Sequence, residues 1–222
     1  MRDHQAMKRT HLNNDALALR KKQALSGKCS ELREIISARD PGDLARRAAL
    51  SLLREDDGSI ILTGDYLLEN CRISWPDLVI TGEKGQPVSQ RLEALWLHYL
   101  AKADGHPLAG RWVNLSEIGG LFYQQAFQGY CGDELAAYWG NNLDGLAAAC
   151  HHNGGWPVHN LGDLAFAWRL LPRLSLCLCY RNQSPDGSAW ATMLFDASTN
   201  HYVAADVAAT VAKELADRLV KL

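Results

Sequence analysis

The alternation of residues between positions 163 and 196 restricts the chain to folds that contain an antiparallel sheet. In the central run LSLCLCYR (174–181), leucine alternates with smaller or polar residues, which is the two-residue period of a β-strand. Turn residues stand on either side of this run, at Pro172 and at residues 184–187. The pattern predicts a meander of three strands joined by two tight turns.

Residues 59–75 show a second strand pattern, which is interrupted at Thr63-Gly64-Asp65 and predicts a hairpin with its turn there. Elsewhere the period changes to that of a helix: residues 88–103 and 204–221 carry apolar side chains on one face. We expect these two helices to cover the meander. Four of their side chains should then be buried: Leu92, Trp96, Val211 and Leu215.

Two further segments have helical features. Asp40 and Pro41 are typical of the N-cap and the first position of a helix, whose apolar stripe extends to Leu52. Residues 119–155 predict two or three short helices separated by glycines. We therefore predict a single α+β domain over residues 40–222, in which an antiparallel sheet (the hairpin plus the three-stranded meander) is packed with several helices.

The composition is that of a globular protein with an uneven charge. Hydrophobic residues make up 47% of the 222 positions, which is enough for the core of one domain. Residues 1–47 hold 11 Lys and Arg against 6 Asp and Glu. We interpret residues 1–39 as a basic, partly helical N-terminal arm, either a solvated terminus or a contact for a partner. The overall net charge of −2 argues against nucleic acid as that partner.

The sequence predicts a cytoplasmic protein without a membrane partner. Residues 1–25 are interrupted by charges and lack the apolar run of a secretory signal, and no run is long enough to span a bilayer. The six cysteines are scattered and form no Cys-x-x-Cys pair. We therefore expect reduced thiols rather than a disulfide framework.

The stretch CHHNGGWPVH (150–159) is the densest group of metal-ligand residue types, with one cysteine and three histidines. Zinc needs about four ligands in a tetrahedron. The adjacent His151 and His152 would point about 100° apart on a helix, which leaves Cys150 and His159 to complete a site. Alternatively a helix ends here, because histidines suit the negative end of a helix and the glycines that follow stop it. We prefer the helix end and predict no metal at this stretch.

Cys177 and Cys179 form a second candidate site, because both side chains leave the same face of one strand. They are close enough to hold one metal ion or to form a redox pair, and Arg181 on that face would favour the thiolate. Buried cysteine also packs as a small hydrophobic residue, which is the interpretation that we prefer.

A ligand site is predicted from residues in three segments. The segment around Glu117 combines a helix start with aromatic residues, of which Tyr123 and Phe127 are one helical turn apart and should share a face. Arg173 stands in a proline-fixed turn, where it can bind an anion through two hydrogen bonds. Asp196 ends a strand, either as the partner of Arg173 or as the cap of its own turn. We predict that the ligand-binding residues are Glu117, Tyr123, Arg173 and Asp196, and we assign no catalytic residue or cofactor.

Several short motifs resemble, in their order and spacing, the bacterial family called domain of unknown function 3786. The resemblance runs from about residue 40 to the C-terminus. Its motifs are LHYL (97–100), GRWV (110–113), GGLFY (119–123), LPR (171–173) and LFDAS (194–198). The glycines that follow residue 153 also fit the family pattern, whereas Cys150, His151 and His152 do not.

Function is predicted from this resemblance and from missing motifs. The sequence has no phosphate-binding loop and no nucleophile elbow, which argues against nucleoside triphosphatases and serine hydrolases. The resemblance implies a protein of anaerobic bacteria, where some relatives carry a four-cysteine iron–sulfur domain that this chain lacks. It implies a cytoplasmic binding or accessory protein with a small-molecule ligand or protein partner, linked to metal-cofactor metabolism (a corrinoid or an iron–sulfur centre).

Two alternatives to a binding or accessory protein stay open. One is an enzyme whose active site is dispersed over Glu117, Tyr123, Arg173 and Asp196. The other is a protein-interaction module that uses the basic arm of residues 1–39 to bind its partner.

Overall fold

Two antiparallel sheets form the framework of the protein. The structure, a computed structural model, describes residues 28–182 and 187–220. The first sheet has the order β1-β2-β3-β4, and the second has the order β5-β9-β8-β7-β6. In chain order the strands are β1 (Ser51–Arg54), β2 (Ile60–Tyr66), β3 (Glu69–Trp75), β4 (Ile80–Gly82), β5 (Trp112–Val113), β6 (Trp156–Pro157), β7 (Leu164–Leu171), β8 (Leu174–Arg181) and β9 (Trp190–Asp196).

Helices of different lengths connect and cover these sheets, so the predicted α+β class is confirmed. A π-helical turn (Gln128–Asp133) joins two of them, and short 3-10 turns occur at Leu115–Ile118, Leu121–Tyr123 and Thr199–His201. None of the helices in the described part of the chain is long and apolar enough to cross a lipid bilayer. The α-helices are α1 (28–37), α2 (Pro41–Ala48), α3 (Gln90–Lys102), α4 (Gln124–Phe127), α5 (Glu134–Trp139), α6 (Leu143–His152) and α7 (Ala205–Leu219).

The predicted meander is confirmed as β7, β8 and β9, in which neighbouring strands pair antiparallel. The turn between β7 and β8 lies at Pro172-Arg173, as predicted. The predicted turn at residues 184–187 lies largely outside the described residues. The short strands β5 and β6 extend the meander at its two edges, and neither was predicted.

The predicted hairpin is confirmed as β2 and β3, but its predicted turn at Thr63-Gly64-Asp65 is wrong. These residues lie within β2, and the chain reverses at Leu67, whose φ is 54°. A Cβ at position 64 would overlap with the Leu50 side chain and would lie 3.2 Å from Cη2 of Trp96. Glycine is required here by close packing against the core and not by a turn.

The first helix of the predicted domain begins as expected and ends early. Asp40 is its N-cap and accepts a hydrogen bond from the Asp43 backbone N–H, with Pro41 at the first helical position. The predicted continuation to Leu52 is wrong, because Ala49 adopts a left-handed conformation and Leu52 pairs with β2. Pairing in the sheet therefore overrides the helical period of this segment.

The long helices α3 and α7 share one hydrophobic core with both sheets. Trp96, Val211 and Leu215 are buried, as predicted, whereas Leu92 is only partly buried. Each buried aliphatic side chain contributes on the order of 1.5–3 kcal/mol to stability.

The contacts to the meander come mainly from the helices at residues 124–153, which the sequence predicted without assigning their position. The Phe127 ring packs against the Phe195 ring at 5.7 Å between centroids, and the Tyr180 hydroxyl donates to the Gly140 carbonyl at 2.7 Å. Helices α3 and α7 therefore contribute to the same core without forming the main cover of the meander.

Helix α1 packs on the rest of the protein. The Ile36 side chain is fully buried. Just after the helix, Arg39 donates hydrogen bonds to the carbonyls of Leu100 at 3.1 Å and Ala101 at 2.5 Å. These contacts attach the second part of the predicted arm to the end of α3. Residues 1–27 of that arm lie outside the described residues.

We predict that Gly64→Ala destabilises the protein by about 1–3 kcal/mol, because the added methyl group overpacks the contact with Leu50 and Trp96. The control is Gly129→Ala, where no atom lies within 4 Å of the added Cβ. Alanine at this helical position should be neutral or stabilising by about 0.5–1 kcal/mol. Urea unfolding of the three proteins measures both effects, and equal stabilities would contradict the packing role of Gly64.

Candidate functional site

Two of the four predicted site residues, Arg173 and Asp196, hold the same loop, residues 104–111. The Arg173 guanidinium donates to the carbonyls of Gly105 at 3.0 Å and His106 at 2.8 Å. Its backbone N–H donates to the Tyr99 hydroxyl at 3.1 Å. The two hydrogen bonds expected for an anion are thus made to backbone carbonyls of the protein itself.

Asp196 is a buried carboxylate, 3% exposed, that binds the other end of the loop. It accepts hydrogen bonds from the backbone N–H groups of Ala109 at 2.9 Å and Gly110 at 2.8 Å, and from Ser198 N–H at 2.9 Å. Burial alone would raise its pKa, but the hydrogen bonds from Ser198, Ala109 and Gly110 hold the pKa of Asp196 below its ordinary value. Asp196 therefore caps its own turn and anchors the loop, and it does not pair with Arg173.

Glu117 lies beside this loop. Its carboxylate accepts from the Asn114 backbone N–H at 3.1 Å, which caps the 3-10 turn, and lies 3.5 Å from the Arg111 guanidinium. Glu117, Arg173 and Asp196 are thus brought near one loop, although they do not contact one another.

Tyr123 does not share a face with Phe127, and this prediction is wrong. Tyr123 ends a 3-10 turn and is 56% exposed, whereas Phe127 in α4 is buried. The change from a 3-10 turn to an α-helix between them rotates the two side chains apart. Together with Leu121 and Phe122, Tyr123 forms an exposed apolar ridge in which Phe122 is 94% exposed.

The loop also carries a cluster of titratable groups that the sequence analysis missed. The Asp104 carboxylate accepts from His201 Nδ1 at 2.6 Å and from the His106 backbone N–H at 2.9 Å. The two imidazole rings stack at 4.0 Å between centroids. Burial alone would raise the pKa of Asp104, but the hydrogen bond from His201 holds it below its ordinary value. No sequence pattern links His201 to a loop almost 100 positions earlier.

The stretch CHHNGGWPVH is a helix end, as preferred from the sequence. Helix α6 ends at His152, and the Gly155 N–H donates to the Cys150 carbonyl at 2.9 Å. A Cβ at Gly155 would lie 2.7 Å from the Trp168 ring, so glycine is needed for close packing here. Within residues 28–182 and 187–220, no three His, Cys, Asp or Glu side chains are grouped as metal ligands.

The thiols of the candidate sites are buried, and their environment favours the protonated form. Cys177 and Cys179 share one face of β8, as predicted. Burial raises the pKa of Cys177 to about 12 and that of Cys150 to about 12 as well. For Cys179, burial outweighs the opposing effect of Arg181, so its pKa is also raised. These thiols have the properties of packed side chains rather than of redox-active thiolates.

An apolar groove lies between α3 and α7, with a cavity of about 340 Å³. Its charged lining residues are two basic and two acidic side chains, Lys28, Arg91, Asp206 and Glu214. The other lining residues are mostly apolar, among them Tyr66, Leu92, Ala94, Leu95, Val207 and Val211.

His98 lines this groove, although the sequence favoured a surface position for it. Burial lowers the pKa of the His98 imidazole below its ordinary value, with Lys28 adding to this effect and Asp206 opposing it. The ring makes no hydrogen bond with residues 28–182 or 187–220. At neutral pH the groove therefore contains an uncharged imidazole that can exchange a hydrogen bond with a ligand. Sequence reasoning missed this because Val207 and Val211 come from a distant helix.

Comparison with known proteins places the chain in a family. A model for a domain of unknown function (DUF3786) matches residues 40–218. The chain belongs to the DUF3786 family. No curated protein and no solved structure matches it. The DUF3786 match begins at the N-cap of α2 and ends in α7, so it includes both sheets, the 104–111 loop and most residues of the groove.

We predict that Asp196→Asn destabilises the DUF3786 domain by about 2–3 kcal/mol at pH 7, because an amide cannot accept all the hydrogen bonds of the buried carboxylate. The folded pKa of Asp196 lies below the unfolded value of about 3.9. The carboxylate therefore stabilises the fold above about pH 4, and this contribution disappears as the pH falls through the folded pKa. Urea unfolding should show that the difference in unfolding free energy between Asp196→Asn and the wild type is smaller at pH 3.5 than at pH 7. Asp77→Asn, at an exposed position, is the control and should show no such effect.

A second prediction concerns the apolar ridge. Phe122→Ser should change the free energy of unfolding by less than about 0.5 kcal/mol, because the ring is already exposed. The matched variant Phe127→Ser, at a buried ring in the same segment, should cost about 3–5 kcal/mol. A large loss for Phe122→Ser in thermal or urea unfolding would show that the ring is packed in solution.

Proposed function

We propose that this protein binds a small, neutral organic molecule with an apolar body in the groove between α3 and α7. The observation that carries the proposal is the apolar groove of about 340 Å³ with His98 in its lining. Small-molecule sites are typically concave, mostly apolar and supplied with a few polar groups, and they often contain a residue with a shifted pKa.

The charged residues of the groove indicate the net charge of the ligand. Two basic and two acidic side chains line it, so the groove exerts no strong net attraction on an anion or a cation. Burial keeps His98 neutral near pH 7, which makes it a hydrogen-bond partner rather than a counter-ion. A neutral molecule that offers one hydrogen-bonding group beside an apolar surface fits both properties.

The metal-cofactor role implied by the family resemblance stays a prediction, and the described residues give it little support. An iron–sulfur centre does not fit the cysteines of the described residues, because cluster ligands are thiolates and burial favours the protonated thiols of Cys131, Cys150 and Cys177. An intact corrinoid is larger than the groove, so the groove would hold only a part of it. A small organic compound is the ligand that these properties support.

An enzymatic function is the second candidate, and one observation favours it. The Asp104–His201 pair, stacked on His106, is a partly exposed carboxylate–imidazole pair of the kind that acts in general acid–base catalysis. Of the predicted dispersed site, Arg173 and Asp196 bind backbone groups of the loop and would position this pair rather than react.

The interaction-module hypothesis rests on residues 1–39, most of which lie outside the described part of the chain. It stays a prediction, as does the cytoplasmic location.

The groove can be tested with the neutral fluorescent probe N-phenyl-1-naphthylamine, whose emission increases in apolar sites. We expect saturable binding to the full chain, and Thr210→Trp should weaken it at least tenfold because the indole fills the groove from an exposed lining position. Lys102→Trp adds the same side chain at an exposed position of α3 outside the groove and should leave binding unchanged. Absence of saturable binding, or equal affinities in both variants, would contradict the proposal.

The pH dependence of probe binding tests the role of His98. Neutral imidazole can accept the N–H of the probe, and protonated imidazole cannot. Because the pKa of His98 lies below its ordinary value, binding should be the same at pH 8 and at pH 7 and should weaken as the pH falls through the lowered pKa. His98→Gln keeps an acceptor and removes the titration, so its binding should stay constant over the whole range. The same pH profile in both proteins would exclude His98 from the site.

A further inference from the structure

A second concave surface lies where the two sheets meet. The sheets are linked where the Leu67 N–H of the first donates to the Leu170 carbonyl of the second at 3.0 Å. Beside this link lies an open cleft of about 620 Å³. In contrast to the groove between α3 and α7, its lining includes many polar side chains: Ser51, Thr63, Asp65, Asn70 and Arg169.

Trp156 supplies the cleft with an aromatic surface. It pairs with Ala167 in the edge strand β6, so its side chain rises on the face of the sheet that also carries Arg169. The indole lines the cleft and is 43% exposed. An aromatic ring held in a strand but left open to solvent is a ready surface for stacking, because the strand fixes its position before a ligand arrives.

The first sheet faces this ring with a set of polar groups. Ser51 pairs with Thr63 in the ladder, and Asp65 pairs with Asn70, so the four side chains stand on one face. The Asn70 amide donates to Asp65 Oδ1 at 2.9 Å, which orients both groups and leaves the second carboxylate oxygen for another donor. The cleft therefore offers hydroxyl, amide and carboxylate partners opposite an indole.

We propose that this cleft binds an uncharged polyhydroxylated ring, that is, a monosaccharide or a short oligosaccharide. A sugar ring has an apolar C–H face that stacks on an indole, and hydroxyl groups at its edge that both donate and accept hydrogen bonds. Arg169 and Asp65 bring one charge of each sign, which favours a neutral ligand over a phosphorylated one. The site is separate from the groove between α3 and α7, with which it shares no lining residue.

A close contact between Gly154 and the hairpin turn lies at the edge of the cleft. Gly154 lines it, and a Cβ at this position would lie 2.8 Å from the Leu68 side chain of the first sheet. The turn after α6 can therefore approach the hairpin turn, and this approach places Trp156 next to the first sheet. The glycines that follow residue 153 thus help to form the cleft as well as to end a helix.

Saturation-transfer difference NMR on the full chain tests the proposal with defined probes. The sugars are glucose, galactose, N-acetylglucosamine and their β1,4-linked disaccharides, and adenosine is the non-sugar ring for comparison. We expect transfer to the ring C–H protons of at least one sugar, with Trp156→Ala weakening its affinity about tenfold and Trp156→Phe retaining most of it. Asp65→Ala should weaken binding as well, since it removes an edge hydrogen bond.

Trp190→Ala is the matched control, because Trp190 is a similarly exposed indole at the start of β9 and lies outside the cleft. It should leave sugar binding unchanged, and the probe N-phenyl-1-naphthylamine should bind the Trp156 variants as it binds the wild type. The proposal is overturned if none of the sugars shows transfer at millimolar concentration, if adenosine alone does, or if Trp156→Ala binds as tightly as the wild type.

Discussion

The hydroxyl group of Tyr99 joins parts of the protein that are far apart in the sequence. It donates to the Ala48 carbonyl at the end of α2 at 2.7 Å and accepts from the Arg173 N–H in the β7–β8 turn at 3.1 Å. Its ring stacks on Tyr202 at 5.2 Å between centroids. Burial raises the pKa of Tyr99, so the phenol stays protonated and keeps both bonds. Through this contact α3, which lines the groove and precedes the 104–111 loop, is bonded to the end of α2 and to the β7–β8 turn.

The sequence was sufficient to predict the helices and strands whose hydrophobic period is regular. It was insufficient where tertiary contacts determine the local structure. The alternating leucines of β8 and the apolar stripe of α7 predicted a strand and a helix, because one face of each is buried. Gly64 was misinterpreted as a turn, since a glycine needed for contact with Trp96 looks the same in sequence as one needed for a positive φ. The end of α2 was missed for a related reason: Leu52 fits a helical stripe as well as a strand that pairs with β2.

The candidate site was predicted only in part, because its residues are brought together by backbone contacts. Arg173 and Asp196 stand out in the sequence as charges in turns, and both hold the 104–111 loop. Their partners, however, are carbonyl and N–H groups of residues 105–110. Backbone groups are the same in nearly every residue, so a sequence does not indicate which of them are bonded. The Asp104–His201 pair and the position of His98 beside α7 each bring together segments that are far apart in the sequence. No periodic pattern in the sequence connects such segments. Only a three-dimensional arrangement reveals them.

The open groove between α3 and α7 is not explained by stability alone. Ala94 and Thr210 present short side chains to a cavity whose lining is mostly apolar, and larger residues there would remove more apolar surface from water. At about 25 cal/mol per Å² such filling would stabilise the fold, and cavity-filling substitutions are a common way to stabilise a protein. His98 adds a polar group to this lining, and its ring has no hydrogen-bond partner among the described residues, so the ring is available to a ligand. A ligand that fills the groove would cover this apolar surface and could hydrogen-bond to His98, which is why we propose the groove as the ligand site of this DUF3786 protein.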